Sequence, residues 1–248
     1  VFHAAATKIV PTSEFNPEEC IKTNIIGAMN VIDCCKNNKV KRVIALSTDK
    51  ASSPINLYGA TKLCSDKLFV AQNRENVTTK FGVVRYGNVM ASRGSIIPYF
   101  KSLVKEKYFP ITHPEMTRFF LSIEEAVKFS CFGMIKMTGG EIFVKKIKSI
   151  SITNLAKSIK KNAKFKITGI RPGEKIHEQM IGSDESMNTA EFKDHYEILA
   201  NVNEKMKRIK KGSKSVSKDF IFSSKTAKKF SIDEFKNVIQ KLNWNKKY

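Results

Sequence analysis

The sequence lacks the features that would place it in several large classes of protein. No window approaches about twenty uninterrupted apolar residues, so we expect no membrane-spanning helix within these 248 residues. The four histidines and five cysteines show no metal-ligand spacing, and we assign no histidine a catalytic or metal-binding role. The cysteines are odd in number and fall among apolar residues, which predicts buried free thiols in a reducing cytoplasm.

Acidic residues are scarce relative to basic ones. The chain has 44 lysines and arginines against 23 aspartates and glutamates, a formal net charge of +21. That excess raises the hypothesis of nucleic-acid binding. No aromatic-interleaved basic face or reading motif accompanies the lysines, so we expect no nucleic-acid partner. Solvated helix faces explain the charge better, and some steering of an anionic ligand is compatible with it.

Strand-like and helix-like segments alternate along the chain, and 42% of the residues are hydrophobic, which is enough for a packed core. This alternation predicts an α/β fold with a doubly wound parallel sheet and right-handed crossovers. Strands are predicted at 1–6, 40–48, 80–89, 141–146, 164–169 and 219–223. Helices are predicted at 17–37, 56–73, 95–106, 123–137, 152–161, 174–181 and 231–242, with a mobile linker at 201–219.

The most informative segment is the pair of motifs STDK at 47–50 and YGATK at 58–62. Tyr58 and Lys62 are four residues apart at the start of a predicted helix, so they lie one turn apart on one face. A lysine ammonium beside a tyrosine hydroxyl favours the phenolate and lowers a tyrosine pKa that is ordinarily about 10. The spacing therefore predicts a base that works near neutral pH.

Small residues follow the first predicted strand. His3, Ala4, Ala5 and Ala6 leave it at the carboxyl edge, where ligands of open α/β sheets bind. Side chains of this size let a cofactor approach the backbone closely. Tight packing of a helix on the sheet is the alternative reading of the alanines.

Seven stretches together resemble one protein family, and they run from residue 1 to about residue 181. They are VFHAAATKIVP, NPEECIKTNIIGAMNVI, VIALSTDKASSPINLYGATKLCSDKLF, VVRYGNVMASRGSIIPYF, ITHPEMTRFFLSIEEAV, GGEIFV and GIRPGEKIHEQMI. The chain resembles the extended short-chain dehydrogenases/reductases. Within them it is most similar to the inverting UDP-N-acetylglucosamine 4,6-dehydratases of the polysaccharide-biosynthesis type.

The resemblance implies a division into three parts. Residues 1–122 are expected to be part of a Rossmann-like NAD(P)-binding domain, and 123–200 a smaller substrate-binding subdomain. Residues 201–248 are expected to form a basic linker followed by a strand and a helix.

One part of the family pattern is missing from the sequence. The superfamily begins with a strand and a glycine-rich turn that holds the cofactor pyrophosphate at a helix N-terminus, and no GxGxxG or GxxGxxG occurs here. The chain begins at Val1, inside what resembles the family's fourth strand. We therefore expect a fragment that lacks three βα units and is a poor or inactive enzyme by itself.

The resemblance also implies roles for the residues of the two motifs. Tyr58 and Lys62 would handle the proton of the sugar's 4-hydroxyl, with Thr48 hydrogen-bonding near C4. Asp49 would be the acid that protonates the leaving 6-hydroxyl, and Lys50 the base that removes the C5 proton. The alternatives are a turn with a local ion pair for Asp49 and Lys50, and simple packing for Tyr58.

Further residues are implied in binding. Those assigned to the cofactor are His3, Ala4, Ala5, Ala6, Asn24, Tyr58 and Lys62. Those assigned to the substrate are Lys8, Asn88, Arg93, Arg118, Arg171 and Glu174. Bidentate arginines suit a nucleotide diphosphate. Any one of the arginines could instead be an ordinary surface residue, and Asn24 a polar contact of its helix.

The family resemblance implies a cytoplasmic NADP-dependent enzyme, with NAD as the alternative cofactor. It would convert UDP-N-acetylglucosamine to a UDP-4-keto-6-deoxy sugar with inversion at C5, for a bacterial surface glycan such as one containing pseudaminic acid. We expect a homo-oligomer. A UDP-sugar 4-epimerase of the same fold is one alternative, disfavoured because epimerases need no acid and base for elimination. A non-catalytic basic binding fragment is the other.

Overall fold

A computed structural model of the protein describes residues 1–73, 78–90, 92 and 94–242. Its strands are β1 (Phe2–His3), β2 (Arg42–Thr48), β3 (Lys80–Tyr86), β4 (Asn88–Val89), β5 (Phe109–Ile111), β6 (Thr117–Leu121), β7 (Ile142–Lys145), β8 (Ser149–Ser151), β9 (Phe165–Ile167), β10 (Gln179–Ile181), β11 (Thr189–Glu191), β12 (His195–Ile198), β13 (Lys214–Ser215) and β14 (Phe222–Ser223).

The α-helices are α1 (Val10–Phe15), α2 (Pro17–Ile21), α3 (Gly27–Asn37), α4 (Leu57–Ala71), α5 (Ile96–Ser102), α6 (Ile123–Lys136), α7 (Ile152–Ile159), α8 (Ser183–Ser186), α9 (Val202–Lys210) and α10 (Ile232–Lys241). A π-helical turn, Lys22–Ile26, joins α2 to α3, and a 3₁₀ turn, Asp49–Ala51, follows β2. Within the described residues, no helix is long and apolar enough to cross a membrane.

The chain folds into two compact units, each built from separated segments. Unit 1 comprises Val1–Tyr86, Glu124–Lys146 and Gln179–Phe222, and unit 2 comprises Gly87–Ile123, Ile147–Glu178 and the segment from Ser223 onward. Both units draw on more than one of the three ranges predicted from the sequence. The functional assignment of those ranges stays a prediction.

Unit 1 is built on a seven-stranded sheet with the order β1-β2-β3-β7-β12-β11-β13. The strands β1, β2, β3 and β7 run parallel, and β12 and β11 continue the sheet in antiparallel pairs. Apolar side chains of β2, β3 and β7 pack against helix α6 and the residue that follows it, as Ile44, Val84 and Phe143 do with Phe129 and Met137. The predicted α/β class is confirmed.

The start of α4 lies against the 3₁₀ turn, and one glycine makes this approach fit. A Cβ atom at Gly59 would clash with the carbonyl oxygen of Lys50. Asn56 caps the helix, because its side chain accepts a hydrogen bond of 2.8 Å from the backbone nitrogen of Gly59. Gly59 and the Asn56 cap therefore place the first turn of α4 beside the turn that follows β2.

Unit 2 has a core of aromatic and aliphatic side chains. Phe235 of α10 is fully buried, and its ring lies 5.4 Å from that of Phe120 and 5.2 Å from that of Phe230. Ile150 and Leu155 belong to the same cluster. The C-terminal helix is thus an integral part of this core.

Two of the predicted elements are wrong. Residues 174–181 do not form a helix: the carbonyl groups of Lys175 and Ile176 accept hydrogen bonds from Arg118, and a strand, β10, follows. Residues 201–219 are not a linker throughout, since α9 occupies 202–210 with Asn201 as its cap. Lysine-rich composition concealed this helix.

The cysteine prediction needs a partial correction. All five are free, and Cys20 and Cys35 are buried as expected. Cys34, Cys64 and Cys131 are exposed. Adjacent helical residues point about 100° apart, so Cys35 faces the interior of unit 1 while its neighbour Cys34 faces outward.

Replacing Phe235 with alanine should lower the free energy of unfolding of unit 2 by roughly 3–5 kcal/mol, because the change leaves a cavity among buried rings. Chemical denaturation followed by circular dichroism would measure it. The same substitution at Phe15, which is 85% exposed, is the matched control and should have little effect. Equal losses in the two variants would contradict this account of the core.

Candidate active site

Tyr58 and Lys62 occupy successive turns of α4, as their spacing predicted. Both side chains are buried, with 8% of Tyr58 and 3% of Lys62 exposed. Asn24 supports this part of the helix from the π-helical turn: its amide nitrogen donates 3.0 Å hydrogen bonds to Thr61 Oγ1 and to the carbonyl oxygen of Thr7. The Thr7 backbone nitrogen donates to Asn24 Oδ1 at 2.8 Å.

The electrostatics of Tyr58 differ from the prediction. Burial raises the pKa of Tyr58 to about 12, and the charge of Lys50 and a hydrogen bond with Thr48 lower it only in part. The lysine whose charge opposes this rise in the pKa of Tyr58 is therefore Lys50 rather than Lys62. Burial also lowers the pKa of Lys62, while the charge of Asp66 opposes that change. The spacing of Tyr58 and Lys62 reveals a neighbouring charge but not the cost of desolvation, and desolvation is the larger effect on both groups.

The STDK motif forms a compact polar turn at the carboxyl end of β2. The Thr48 hydroxyl donates to Asp49 Oδ1 at 3.0 Å, and Lys50 Nζ lies 3.0 Å from the same oxygen. The Asp49 side chain is fully buried and that of Lys50 is 20% exposed. The local ion pair considered from the sequence is present, and it holds an acid and an amine side by side next to Tyr58.

The end of β1 carries the predicted small residues. Ala4 and Ala5 are exposed, Ala6 is half-buried, and Lys8 is exposed. His3 is buried with its ring 5.4 Å from that of Phe69. Burial lowers the pKa of His3, and the charge of Lys62 lowers it further. A neutral imidazole is therefore favoured here.

The residues predicted to contact the cofactor all belong to unit 1. The exposed alanines at the end of β1 present no bulky side chain, and Tyr58 and Lys62 lie on one face of α4 in the same unit. The glycine-rich turn that binds the diphosphate of NAD(P) in this superfamily has no counterpart among the 248 residues. Of the described residues, no group of three or more His, Cys, Asp or Glu could hold a metal ion.

A buried ionic network that was not predicted from the sequence joins α4 to β3 and α8. Arg85 of β3 is fully buried, and its guanidinium contacts Asp66 at 3.3 Å and both carboxylate oxygens of Glu185 at 2.9 and 3.0 Å. The Ser47 hydroxyl donates to Asp66 at 2.7 Å. Asp66 follows Lys62 by four residues, and that spacing was the only signal in the sequence.

Unit 2 holds a second group of the predicted residues. Arg171 donates to Glu174 at 2.8 Å, and Arg118 lies 3.7 Å from the same carboxylate. Burial alone would raise the pKa of Glu174, but hydrogen bonds and charge from Arg171, with the charge of Arg118, outweigh it and lower that pKa. Two of the three predicted arginines thus share one carboxylate.

Asn88 and Arg93 were also predicted to bind substrate. Asn88 is half-buried on β4, opposite Phe120 of β6. Arg93 lies outside the residues that the structure describes. Of the two described arginines, Arg118 is mostly buried and donates to three backbone carbonyls, whereas Arg171 is 68% exposed. Arg171 is therefore the better placed to meet a ligand.

Comparison with known proteins gives a consistent picture. Residues 1–200 match the family described as "Polysaccharide biosynthesis protein". A Campylobacter jejuni protein named UDP-N-acetylglucosamine 4,6-dehydratase (inverting) is 58% identical over 206 residues, which are 82% of this chain and 62% of that protein. A Rickettsia bellii protein named UDP-glucose 4-epimerase is 41% identical over 253 residues, covering 98% of this chain and 74% of that protein.

Among solved structures, that of Pen from Bacillus thuringiensis superposes with a TM-score of 0.85 at 35% sequence identity, covering 98% of this chain and 75% of that one. The chain spans about 62% of the length of its Campylobacter relative. The family match extends over more than half of the chain, and its motifs predicted the same kinship. The chain belongs to the polysaccharide biosynthesis protein family.

Proposed function

We propose that the protein to which this chain belongs is a nucleotide-sugar 4,6-dehydratase acting on UDP-N-acetylglucosamine. The observation that carries the proposal is the turn after β2, where Asp49 and Lys50 lie 3.0 Å apart beside the buried Tyr58. An acid and a base next to a tyrosine–lysine pair are the groups that an elimination from an oxidised sugar requires. The 58% identity to the Campylobacter dehydratase supports this choice.

The chemistry explains why three kinds of group are needed. The proton on C5 of a hexose is not acidic until C4 becomes a ketone. NADP, or NAD in its place, would supply reversible hydride chemistry when bound: it would accept the hydride from C4 and give it back to C6, so the cofactor would not be consumed. The product is a 4-keto-6-deoxy sugar, and one water is lost.

Each residue of the site has a role in this scheme. Tyr58 takes the proton of the 4-hydroxyl, and Thr48 hydrogen-bonds near that oxygen. For the elimination, a proton must first pass within the ion pair from Lys50 to Asp49. The neutral amine of Lys50 then removes the C5 proton, and the protonated Asp49 donates its proton to the 6-hydroxyl as it leaves. A neutral Tyr58 predominates at neutral pH given its raised pKa, so the phenolate depends on the charge of Lys50 and the hydrogen bond with Thr48 for stabilisation.

Arginines of unit 2 are assigned to the UDP diphosphate. Arg171 is exposed, and Glu174 holds its guanidinium through hydrogen bonds of 2.8 and 3.4 Å. A planar guanidinium fixed in this way is prepared for bidentate contact with an anion. Arg118 contributes charge while it anchors the backbone of residues 175 and 176.

A UDP-sugar 4-epimerase is the alternative, favoured by the name of the Rickettsia relative. Both reactions begin with oxidation at C4, so the tyrosine–lysine pair does not separate them. The acid and the amine of the turn separate the two reactions, because epimerisation includes no elimination.

The product of a dehydratase would be used to build a bacterial surface glycan such as one containing pseudaminic acid.

The product distinguishes the two reactions directly. Incubated with UDP-N-acetylglucosamine and NADP, the protein that carries this chain should yield a nucleotide sugar lighter by one water. Mass spectrometry would measure the loss, and absorbance of the reduced cofactor should return to its starting value. A product of unchanged mass with inverted C4 would establish the epimerase instead.

Replacing Lys50 with alanine should abolish dehydration and the exchange of the C5 proton with solvent, because the base is lost. Reduction of the cofactor by C4 oxidation should survive and remain visible in absorbance. The matched control is Lys67→Ala, which removes an exposed lysine from α4. Dehydration at near wild-type rate in the Lys50 variant would assign the base elsewhere.

Replacing Arg171 with alanine should weaken UDP binding by roughly 1.5 kcal/mol, about tenfold in Kd, at the low end for a charge-assisted contact because the side chain is exposed. Isothermal titration calorimetry would measure it. Arg42→Ala is the matched control, since among the described residues the Arg42 side chain donates to the backbone carbonyls of residues 134 and 135. Equal affinity in the two variants would make Arg171 an ordinary surface residue.

A further inference from the structure

Three ionisable side chains line one face of α4 at four-residue intervals: Tyr58, Lys62 and Asp66. All three are buried, and the Asp66 side chain is only 1% exposed. No hydrogen bond or ion pair within 4 Å joins Lys62 to Asp66 among the described residues. The two charges therefore act on each other through the interior of unit 1, where screening by water is weak.

Asp66 is held from behind by two other strands. The Ser47 hydroxyl of β2 donates to Asp66 Oδ2 at 2.7 Å, and Arg85 Nη2 of β3 lies 3.3 Å from the same oxygen. The other carboxylate oxygen, Oδ1, accepts no hydrogen bond from the described residues. The contacts fix one oxygen of Asp66 and leave part of its charge uncompensated by hydrogen bonds.

Arg85 does not serve Asp66 alone, because its guanidinium also pairs with Glu185. Arg85 Nη1 donates to both oxygens of Glu185 at 2.9 and 3.0 Å and to the carbonyl oxygen of Met180 at 2.8 Å. Burial raises the pKa of Asp66, and the charge of Arg85, followed by that of Lys62, opposes this rise, so an ionised Asp66 depends on both cations. With Glu185 paired to Arg85, the charge of Asp66 is shared with Lys62.

We propose that Asp66 is a positioning residue that keeps the buried Lys62 protonated, and that Arg85 and Glu185 hold Asp66 in place for this role. A buried ammonium without a compensating anion loses its proton easily. Asp66 supplies that anion from the next turn of the same helix. The consequence for Tyr58 rests on the proposed function, whereas the charge relation between Lys62 and Asp66 does not.

Other charged groups of unit 1 surround this pair and share in its balance. Burial lowers the pKa of His3 of β1, and the charge of Lys62 lowers it further. Tyr58 lies one turn before Lys62, and the 3₁₀ turn contributes Asp49 and Lys50 as an ion pair. Burial lowers the pKa of Lys62, and of these groups Asp66 is the one whose charge opposes that change.

The test follows the proton on Lys62 directly. In protein labelled with ¹³C at lysine Cε, the Lys62 resonance, assigned through Lys62→Arg, should titrate at lower pH in Asp66→Asn than in the wild type. In Asp66→Glu, which keeps the charge, the Lys62 resonance should titrate close to the pH seen in the wild type. Asp219→Asn, which removes an exposed carboxylate of unit 1, should leave the Lys62 titration unchanged.

A purely structural role for Asp66 predicts a different result: loss of stability in Asp66→Asn with an unchanged Lys62 titration, and that outcome would overturn the proposal. If Asp66→Asn does not fold, the wild type still decides. Lys62 Cε and Asp66 Cγ should then report a shared titration step, and independent titrations would reject the coupling. This test measures the proton on Lys62 and not the reaction product. An epimerase product would therefore contradict the proposed function without contradicting this inference.

Discussion

The burial of Arg85 is the constraint on which unit 1 depends. A fully buried guanidinium is stable only where carboxylates and carbonyls meet it from several directions. Asp66 of α4, Glu185 of α8 and the carbonyl oxygen of Met180 supply these contacts. One side chain of the central sheet thereby ties together a helix near the start of the chain and a segment about a hundred residues later.

The candidate active site is built directly on this arrangement. Ser47, near the end of β2, donates a hydrogen bond to Asp66 of the network. The next residue, Thr48, caps the turn that contains Asp49 and Lys50. The first turn of α4 approaches that turn closely because Gly59 has no side chain. The same two elements therefore hold both the proposed reacting groups and the charged side chains that lie behind them.

The sequence predicted those parts of the site that depend on local spacing. The four-residue interval of Tyr58 and Lys62 has one meaning on a helix, and a polar motif after an apolar run marks a strand end. The link from Arg85 to Glu185 could not be predicted, because it joins residues a hundred positions apart. The missing helix at 174–181 has the same origin, since Arg118, far along the chain, binds the carbonyls that the helix would have used.

The pKa of Tyr58 illustrates why pairwise rules from sequence fail at such a site. A lysine one turn away lowers a tyrosine pKa in isolation, yet here the lysine whose charge lowers the pKa of Tyr58 is Lys50, and burial of the phenol outweighs it. The interior penalises each charge separately, so Lys62 needs Asp66, Asp66 lies against Arg85, and Arg85 needs Glu185. Once the whole set is buried, the proton affinity of any member depends on all the others, and a base can be tuned from a residue that never touches it.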